Sequence, residues 1–224
     1  SFCTLLVMAK RERENRVLLN YWRSSCSWRV RMVLAHKDLS YEYKAVNLLK
    51  GEDCAPDYWK INPAGVPTLI DGEHTITQSL AIIEYLEERY PENPILPRAF
   101  EERASVRAVA HLIASGIQPL QNLGVQQKIG AQYGADAKAK WAKDVIEEGM
   151  EGLEEVLKRV AGKCCVGDAF TMADTCLVPQ VFAARRFGAD MTKFPTISRV
   201  VAHLETLPQV ANTHPDKMPD AVKQ

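Results

Sequence analysis

The hydrophobic period of this chain changes near residue 98, and that change restricts the folds open to it. Before this point, short apolar runs typical of strands alternate with helical patterns. After it, every long segment repeats its apolar residues at helical spacing, as in the stripe Val106, Val109, Ile113 and Ile117. The 224 residues therefore predict an α/β domain followed by an all-α domain.

The first domain is predicted to have the element order βαβαββα. Strands are expected at 17–22, 40–46, 66–70 and 74–77, and helices after the first strand, at 57–60 and at 79–90. Asp71-Gly72 is the expected hairpin turn, and three prolines between Tyr90 and Pro97 prevent a helix from continuing there. The predicted boundaries are a leader at 1–15, an α/β domain at 16–90, a linker at 91–97 and a helical domain at 98–224. The polar tail from His214 is expected to be mobile.

Composition excludes several classes of function. The 28 basic and 28 acidic residues give a net charge of zero, so nothing indicates a basic surface for nucleic acid. The longest apolar stretches, such as 5–9, are far shorter than the roughly 20 residues of a membrane helix. The six cysteines lack Cys-x-x-Cys pairing, and no spaced histidine pair completes a zinc site. We therefore predict reduced thiols, a cytoplasmic location, no metal, and neither nucleic-acid nor membrane partners.

The most informative segment is the octapeptide Ser24-Ser25-Cys26-Ser27-Trp28-Arg29-Val30-Arg31, where the first strand meets the first helix. This is where α/β sheets bind their ligands. Two hydroxyls and a thiol there meet unpaired amides and the positive end of the helix dipole, which stabilise an anion such as a thiolate. The alternative interpretation is an N-cap serine beside a buried structural cysteine.

Two further features lie at the ends of predicted strands. Pro67 stands at the start of a strand, which indicates a cis Val66-Pro67 bond that would let an extended peptide pair with the Val66 backbone. Gln78-Ser79 ends a hairpin strand and opens a helix, so it could hold a ligand carboxylate. Taken singly, the first motif favours a plain loop, and the second is equally compatible with a bare helix cap.

Together the three elements resemble the zeta class of the glutathione transferase superfamily over essentially residues 16–215. The resemblance rests on Ser-Ser-Cys-Ser-Trp-Arg-Val-Arg at 24–31, Gln-Ser-Leu-Ala-Ile-Ile-Glu-Tyr-Leu-Glu at 78–87, Gly-Ile-Gln-Pro-Leu-Gln-Asn-Leu at 116–123 and Cys-Val-Gly-Asp at 165–168. It implies a thioredoxin-like first domain, glutathione as cofactor and a homodimer. Because the zeta family includes maleylacetoacetate isomerases, it also implies glutathione-dependent cis–trans isomerisation of maleylacetoacetate in tyrosine and phenylalanine breakdown, with glutathione transferase activity.

The resemblance further implies roles for residues of the first domain. Ser24 would donate a hydrogen bond to the glutathione sulfur, with Ser25 and Cys26 beside it in the catalytic and glutathione-binding set. Val66 would pair with the cysteinyl backbone of glutathione. Gln78 and Ser79 would bind its γ-glutamyl carboxylate.

In the second domain the resemblance implies that Gln118 and Asn122 border the active site and contact glutathione. Arg186 would face a substrate carboxylate, with Gln118 also on the substrate side. The chain departs from the family at two places. Gly124 stands where serine is frequent, and the 62–67 segment is one residue shorter than the usual Asn-Pro-x-x-x-Val-Pro, so its loop is either tightened or lacks a residue.

Three other functions compete with isomerisation. They are conjugation or dehalogenation of small α-halo acids at the same sites, thiol–disulfide exchange through Cys26, and a non-catalytic transferase-like interaction module. Arg29 stands where a resolving cysteine would complete Cys-x-x-Cys, so two-cysteine exchange is excluded. The joint presence of Ser24, Gln78, Ser79 and Arg186 argues against the interaction module, since a scaffold does not need them.

Overall fold

The computed structural model describes residues 16–222. The leader predicted at 1–15 lies outside these residues. The described chain forms two compact units: the first holds residues 16–94 together with Ala211 and the residues after it, and the second runs from Ile95 to Val210. Among the described helices, none combines the length and the apolar character needed to cross a membrane.

The first unit is built on a mixed sheet of four strands. They are β1 (Arg16–Asn20), β2 (Glu42–Ala45), β3 (Thr68–Asp71) and β4 (His74–Thr77). The order is β2-β1-β3-β4, with β1 parallel to β2 and the other neighbours antiparallel. A parallel pair requires a crossover, whereas β3 and β4 need only the turn at Gly72, where φ is +62°. The predicted βαβαββα order is confirmed.

Three helices accompany the sheet. They are α1 (Ser25–His36), α2 (Pro56–Ile61) and α3 (Ser79–Arg89), with 3-10 turns at Leu48–Lys50 and Glu52–Cys54. Because side chains alternate along a strand, Leu19 packs with Tyr58 of α2 on one face, while the neighbouring Leu18 and its β3 partner Leu69 are fully buried on the other. The sheet is therefore covered on both faces.

The second unit is helical apart from its loops, as predicted. Its helices are α4 (Phe100–His111), α5 (Leu123–Tyr133), α6 (Ala135–Val160), α7 (Met172–Arg186), α8 (Pro195–Leu204) and α9 (Pro208–Ala211), with a 3-10 turn at Met191–Lys193. A capping box starts the buried helix α7: the Asp174 carboxylate accepts from the Thr171 amide at 2.7 Å and from the Thr171 hydroxyl at 2.9 Å. Cys176 and Leu177 follow in the core, both fully buried.

The helical path is interrupted after α4, where the sequence places Gly116 and Pro119. A π-helical turn (Leu112–Ile117) passes into a 3-10 turn (Gln118–Gln121) before α5 begins. Helix α6 approaches this break closely at Gly149, where a Cβ atom would lie 2.6 Å from Ile117 Cγ1. The break is thus a packed feature of the unit, and it carries the segment that contains Gln118.

The tail from His214 is predicted to be mobile, but in the structure it makes specific contacts with the first unit. It contains a 3-10 turn (Pro215–Lys217) and joins the first unit. The indole nitrogen of Trp28 in α1 donates to Thr213 Oγ1 at 3.0 Å, and the His214 ring stands edge-on to Trp28. Polar tail residues therefore find their hydrogen-bond partners in the first unit, a pairing that local sequence patterns do not reveal.

Candidate functional site

Register in the sheet brings the three sequence motifs to one edge of the first unit. Leu19, near the end of β1, pairs with Thr68 at the start of β3, and Thr68 pairs with Thr77 at the end of β4. The segments that leave these strands at this edge carry Ser24, the Val66-Pro67 bond and Gln78. Residues more than fifty positions apart along the chain thereby belong to one candidate site.

Ser24 is the N-cap of α1. Its Oγ accepts a hydrogen bond from the Ser27 amide at 3.2 Å, and its backbone is extended, as capping requires. The hydroxyl hydrogen has no acceptor among the described residues, so it can be donated to a ligand. Ser24 is half-buried, and the first-turn amides of α1 have no acceptor within the helix. A hydroxyl donor at the positive end of a helix suits a thiolate.

Cys26 and Ser79 are linked by Arg29, whose side chain is 2% exposed. One guanidinium nitrogen lies 3.2 Å from Ser79 Oγ and 3.8 Å from Cys26 Sγ, while Nε has no hydrogen-bond partner among the described residues. These contacts are to a hydroxyl and a thiol, and in the described part of the chain no carboxylate pairs with Arg29. A buried cation without an acidic partner makes this edge electropositive, which favours an anionic ligand.

Gln78 has an unusual backbone conformation, with φ +68° and ψ 119°. For a residue with a side chain this costs about 1–3 kcal/mol and is typical of ligand-binding positions. Gln78 is exposed and directly precedes Ser79, the buried first residue of α3. The strained junction presents the amide side chain of Gln78 beside the N-terminus of a second helix.

The Val66-Pro67 bond is cis, as predicted. The shorter loop before it is closed by Asn62: its amide donates to the Gly65 carbonyl and to Thr68 Oγ1 at 2.9 Å, and its Oδ1 accepts from the Ala64 amide at 2.9 Å. Gly65 has φ +85°, which glycine adopts without strain. The loop therefore closes with the residues present, and Val66 lies half-buried just before β3.

The residues predicted in the helical unit lie around its helix break and at the end of α7. Gln118 is half-buried, and Asn122 is exposed at the N-cap of α5 without a side-chain capping bond. Arg186 is exposed, with its guanidinium 4.8 Å from the centre of the Phe187 ring. Its neighbour Arg185 pairs instead with Glu205. The roles of Gln118, Asn122 and Arg186 remain predictions.

A buried pair of amides fixes the segment that carries Gln118. Gln121 and Gln180 of α7 exchange two hydrogen bonds, at 2.8 and 3.3 Å, and the Gln121 carbonyl accepts from Gln126 at 2.6 Å. The Trp141 indole donates to the Leu120 carbonyl at 2.9 Å. The break after α4 is therefore fixed by three neighbouring side chains.

The buried cysteines of the helical unit are unsuited to thiolate chemistry. Burial raises the pKa of Cys164 to about 12 and the pKa of Cys165 well above its ordinary value, and the nearby Asp174 adds to both shifts. All five cysteines in the described part of the chain are free thiols. Among them, Cys26 alone lies at the candidate site.

Sequence reasoning missed Arg29 as a site residue. The available signal was its place in α1, where residues 27–34 are all buried, so that an arginine there needs acceptors or an anion. The same signal applied to Arg31, which is fully buried. Both arginines belong to the motif already singled out at 24–31.

Two segments of the chain match the models of a known protein family. Residues 16–88 match the family model Glutathione S-transferase, N-terminal domain, and residues 126–212 match Glutathione S-transferase, C-terminal domain. The chain is 52% identical over 218 residues to the maleylacetoacetate isomerase of Dictyostelium discoideum, covering 94% of this chain and 99% of that one. It is 47% identical over 219 residues to a zeta-class glutathione S-transferase of Euphorbia esula, covering 96% and 97%.

Among solved structures, the fold is similar to that of the maleylacetoacetate isomerase of Anaeromyxobacter dehalogenans with bound GSH in the active site. The TM-score is 0.85 at 43% identity, covering 93% of this chain and 98% of that one. The same protein solved with bound dicarboxyethyl glutathione and citrate gives a TM-score of 0.85 at 42% identity, covering 93% and 94%.

Proposed function

The chain belongs to the zeta class of the glutathione S-transferase family, and on that premise we propose that it is an enzyme that isomerises maleylacetoacetate to fumarylacetoacetate with glutathione as cofactor. The observation that carries the proposal is the state of Ser24. Its oxygen is engaged as the cap of α1, while its hydrogen remains available for a sulfur ligand.

The candidate site suits glutathione in both charge and arrangement. Two helix N-termini and the buried Arg29 favour the anionic ends of the tripeptide. We place the thiol at Ser24, with Ser25 and Cys26 beside it, and the γ-glutamyl carboxylate at Gln78 and Ser79. The cysteinyl backbone would pair with Val66, where the tightened loop meets β3.

Stabilising the thiolate is the first task of the site. A free thiol has a pKa near 8.5, so most of it is protonated at neutral pH, and each unit of lowering requires about 1.4 kcal/mol. A hydrogen bond to a charged group contributes about 1.5–3 kcal/mol. The Ser24 hydroxyl with the helix N-terminus can thus lower the thiol pKa by one to two units.

The isomerisation follows from the nucleophilicity of that thiolate. The sulfur adds to the conjugated cis double bond, and the electron pair of that bond moves into an enolate. Rotation occurs about what is now a single bond, and elimination of the sulfur re-forms the double bond as trans. Glutathione is regenerated, so the protein contributes positioning and electrostatic stabilisation.

Substrate carboxylates need a cation of their own, and we propose Arg186 for that role, with Gln118 and Asn122 bordering the site. A planar guanidinium can bind a carboxylate with two parallel hydrogen bonds. Dicarboxyethyl glutathione and citrate, bound in the Anaeromyxobacter structure, carry such carboxylates. The homodimer and the cytoplasmic location implied by the family resemblance are part of the same proposal.

The direct test is an assay of fumarylacetoacetate formation from maleylacetoacetate, with and without glutathione. The expected result is turnover that requires glutathione and leaves its concentration unchanged. Consumption of glutathione would indicate conjugation instead. Binding to immobilised glutathione without turnover of maleylacetoacetate would refute the isomerase assignment. Absence of binding would also refute the assignment of the glutathione-binding site.

A further inference from the structure

The turn that presents Ser24 is held by a buried arginine. The Ser24 amide donates to the Tyr21 carbonyl at 3.1 Å, which closes the turn after β1. Arg31 in α1 is fully buried and donates to the carbonyls of Tyr21 at 3.4 Å and Trp22 at 2.9 Å, and to Asn20 Oδ1 at 3.0 Å. All three acceptors are neutral, so these contacts leave the charge of Arg31 uncompensated.

The chain's own tail reaches the same turn. Asp220 Oδ2 accepts from the Trp22 amide at 3.1 Å, across 198 positions of sequence, and Asp220 Oδ1 accepts from the Tyr43 hydroxyl of β2. At the start of the tail, Thr213 accepts a hydrogen bond from Trp28 in α1, and His214 packs against the same ring. The tail is therefore attached at both ends to elements that flank the turn.

The charges around the turn are complementary. Burial lowers the pKa of Arg31, and Tyr43, Tyr41 and Asp220 oppose that decrease. Burial and the hydrogen bond to Asp220 raise the pKa of Tyr43, so it stays a neutral donor. Asp220, which binds the turn through the Trp22 amide, is thus one of the groups whose charge favours the cationic form of Arg31.

We propose that Asp220 is a positioning residue for glutathione activation: through the Trp22 amide and the charge of Arg31 it fixes the turn from Tyr21 to Ser24, and so the direction in which Ser24 donates. The inference rests on the proposed function, because it concerns how Ser24 meets the glutathione sulfur. Asp220 itself touches no reacting atom. A small displacement of a positioned donor can cost up to about a hundredfold in rate.

The experiment compares Asp220→Ala and Asp220→Asn with a matched control, Asp216→Asn, which removes an exposed carboxylate of the same tail. The apparent pKa of enzyme-bound glutathione is read from the thiolate absorbance as a function of pH, alongside kcat, KM and the melting temperature. We expect Asp220→Ala to raise that pKa by about one unit and to lower kcat about tenfold at neutral pH. Asparagine keeps an acceptor for the Trp22 amide, so Asp220→Asn should show a smaller rise in this pKa and a smaller loss of kcat. Asp216→Asn should match the parent in both quantities.

Failure of this proposal is distinguishable from failure of the proposed function. If the parent enzyme binds glutathione as a thiolate but Asp220→Ala leaves its pKa unchanged, Asp220 is merely structural, whatever happens to the melting temperature. If Asp220→Ala does not fold, the thiolate pKa of the folded Asp220→Asn variant decides, and an unchanged value overturns the proposal. A parent enzyme that forms no thiolate would instead refute the function assigned to Ser24.

Discussion

Replacing Ser24 separates its two roles, because alanine and glycine both remove the hydroxyl but differ as helix caps. The Ser24 oxygen accepts from the Ser27 amide at 3.2 Å. Loss of such a cap costs about 1 kcal/mol of folding stability with alanine and a few tenths with glycine, which tolerates the cap conformation. Ser24→Ala should therefore be the less stable of two variants that are chemically equivalent toward the ligand.

The expected effect on glutathione is the same for both variants. Removing a hydrogen bond to a thiolate forfeits about 1.5–3 kcal/mol, which is roughly a ten- to hundredfold smaller kcat/KM. The apparent pKa of the bound thiol should rise by about one to two units. Ser24→Thr keeps the hydroxyl and should recover part of both losses.

The measurements are isomerase kinetics, thiolate absorbance against pH, and thermal melting of the three variants and of Cys26→Ala. Since the attacking sulfur belongs to glutathione, Cys26→Ala should keep measurable isomerase activity. The reasoning would be refuted if Ser24→Gly retained parental kcat/KM while Ser24→Ala lost it, because the defect would then follow the cap. If a folded Cys26→Ala variant lacked activity while Ser24→Ala kept it, the reaction would depend on the Cys26 thiol rather than on the Ser24 hydroxyl.

Three further predictions concern other residues. Ser79→Ala should weaken glutathione binding by about 1–2 kcal/mol, since its proposed partner is a carboxylate; unchanged affinity by calorimetry would exclude that placement. Arg186→Ala should raise KM for a dicarboxylic substrate and spare an uncharged electrophile, with Arg186→Lys recovering part of the loss; equal losses on both substrates would make Arg186 structural. Because burial raises the pKa of Cys164 to about 12 and that of Cys165 well above normal, neither should be alkylated in the native protein at mildly alkaline pH; mass spectrometry showing rapid native labelling would contradict this.

Local signals in the sequence were sufficient for the elements of the first unit. The Asp71-Gly72 turn predicted the β3–β4 hairpin, and the strand–helix junction at Ser24 predicted the N-cap that the structure contains. Such features depend on a few neighbouring residues, whose backbone preferences are strong. The cis bond predicted at Val66-Pro67 is present in the structure, and proline permits it because an X-Pro bond prefers trans by only about 0.5–1 kcal/mol.

The conformation of Gln78 could not be predicted from neighbouring residues. Its positive φ is unfavourable for glutamine alone and persists only because the hairpin and α3 fix the residues on either side. The bridge formed by Arg29 was also missed, because Ser79 lies fifty positions away. Both features depend on the assembled sheet, which places the ends of β1 and β4 at one edge.

Contacts with residues far along the chain explain why the tail differs from its predicted mobility. A polar, proline-containing segment shows no hydrophobic period, so its sequence alone predicts mobility. However, a buried guanidinium such as that of Arg31 requires compensation, and its three hydrogen bonds go to neutral oxygens. Asp220, which lies at the turn through its bond to the Trp22 amide, is one of the groups whose charge favours the cationic form of Arg31. The tail thus meets its partners in α1, in β2 and in the turn before Ser24, and because those residues lie far away along the chain, no pattern within the tail reveals them.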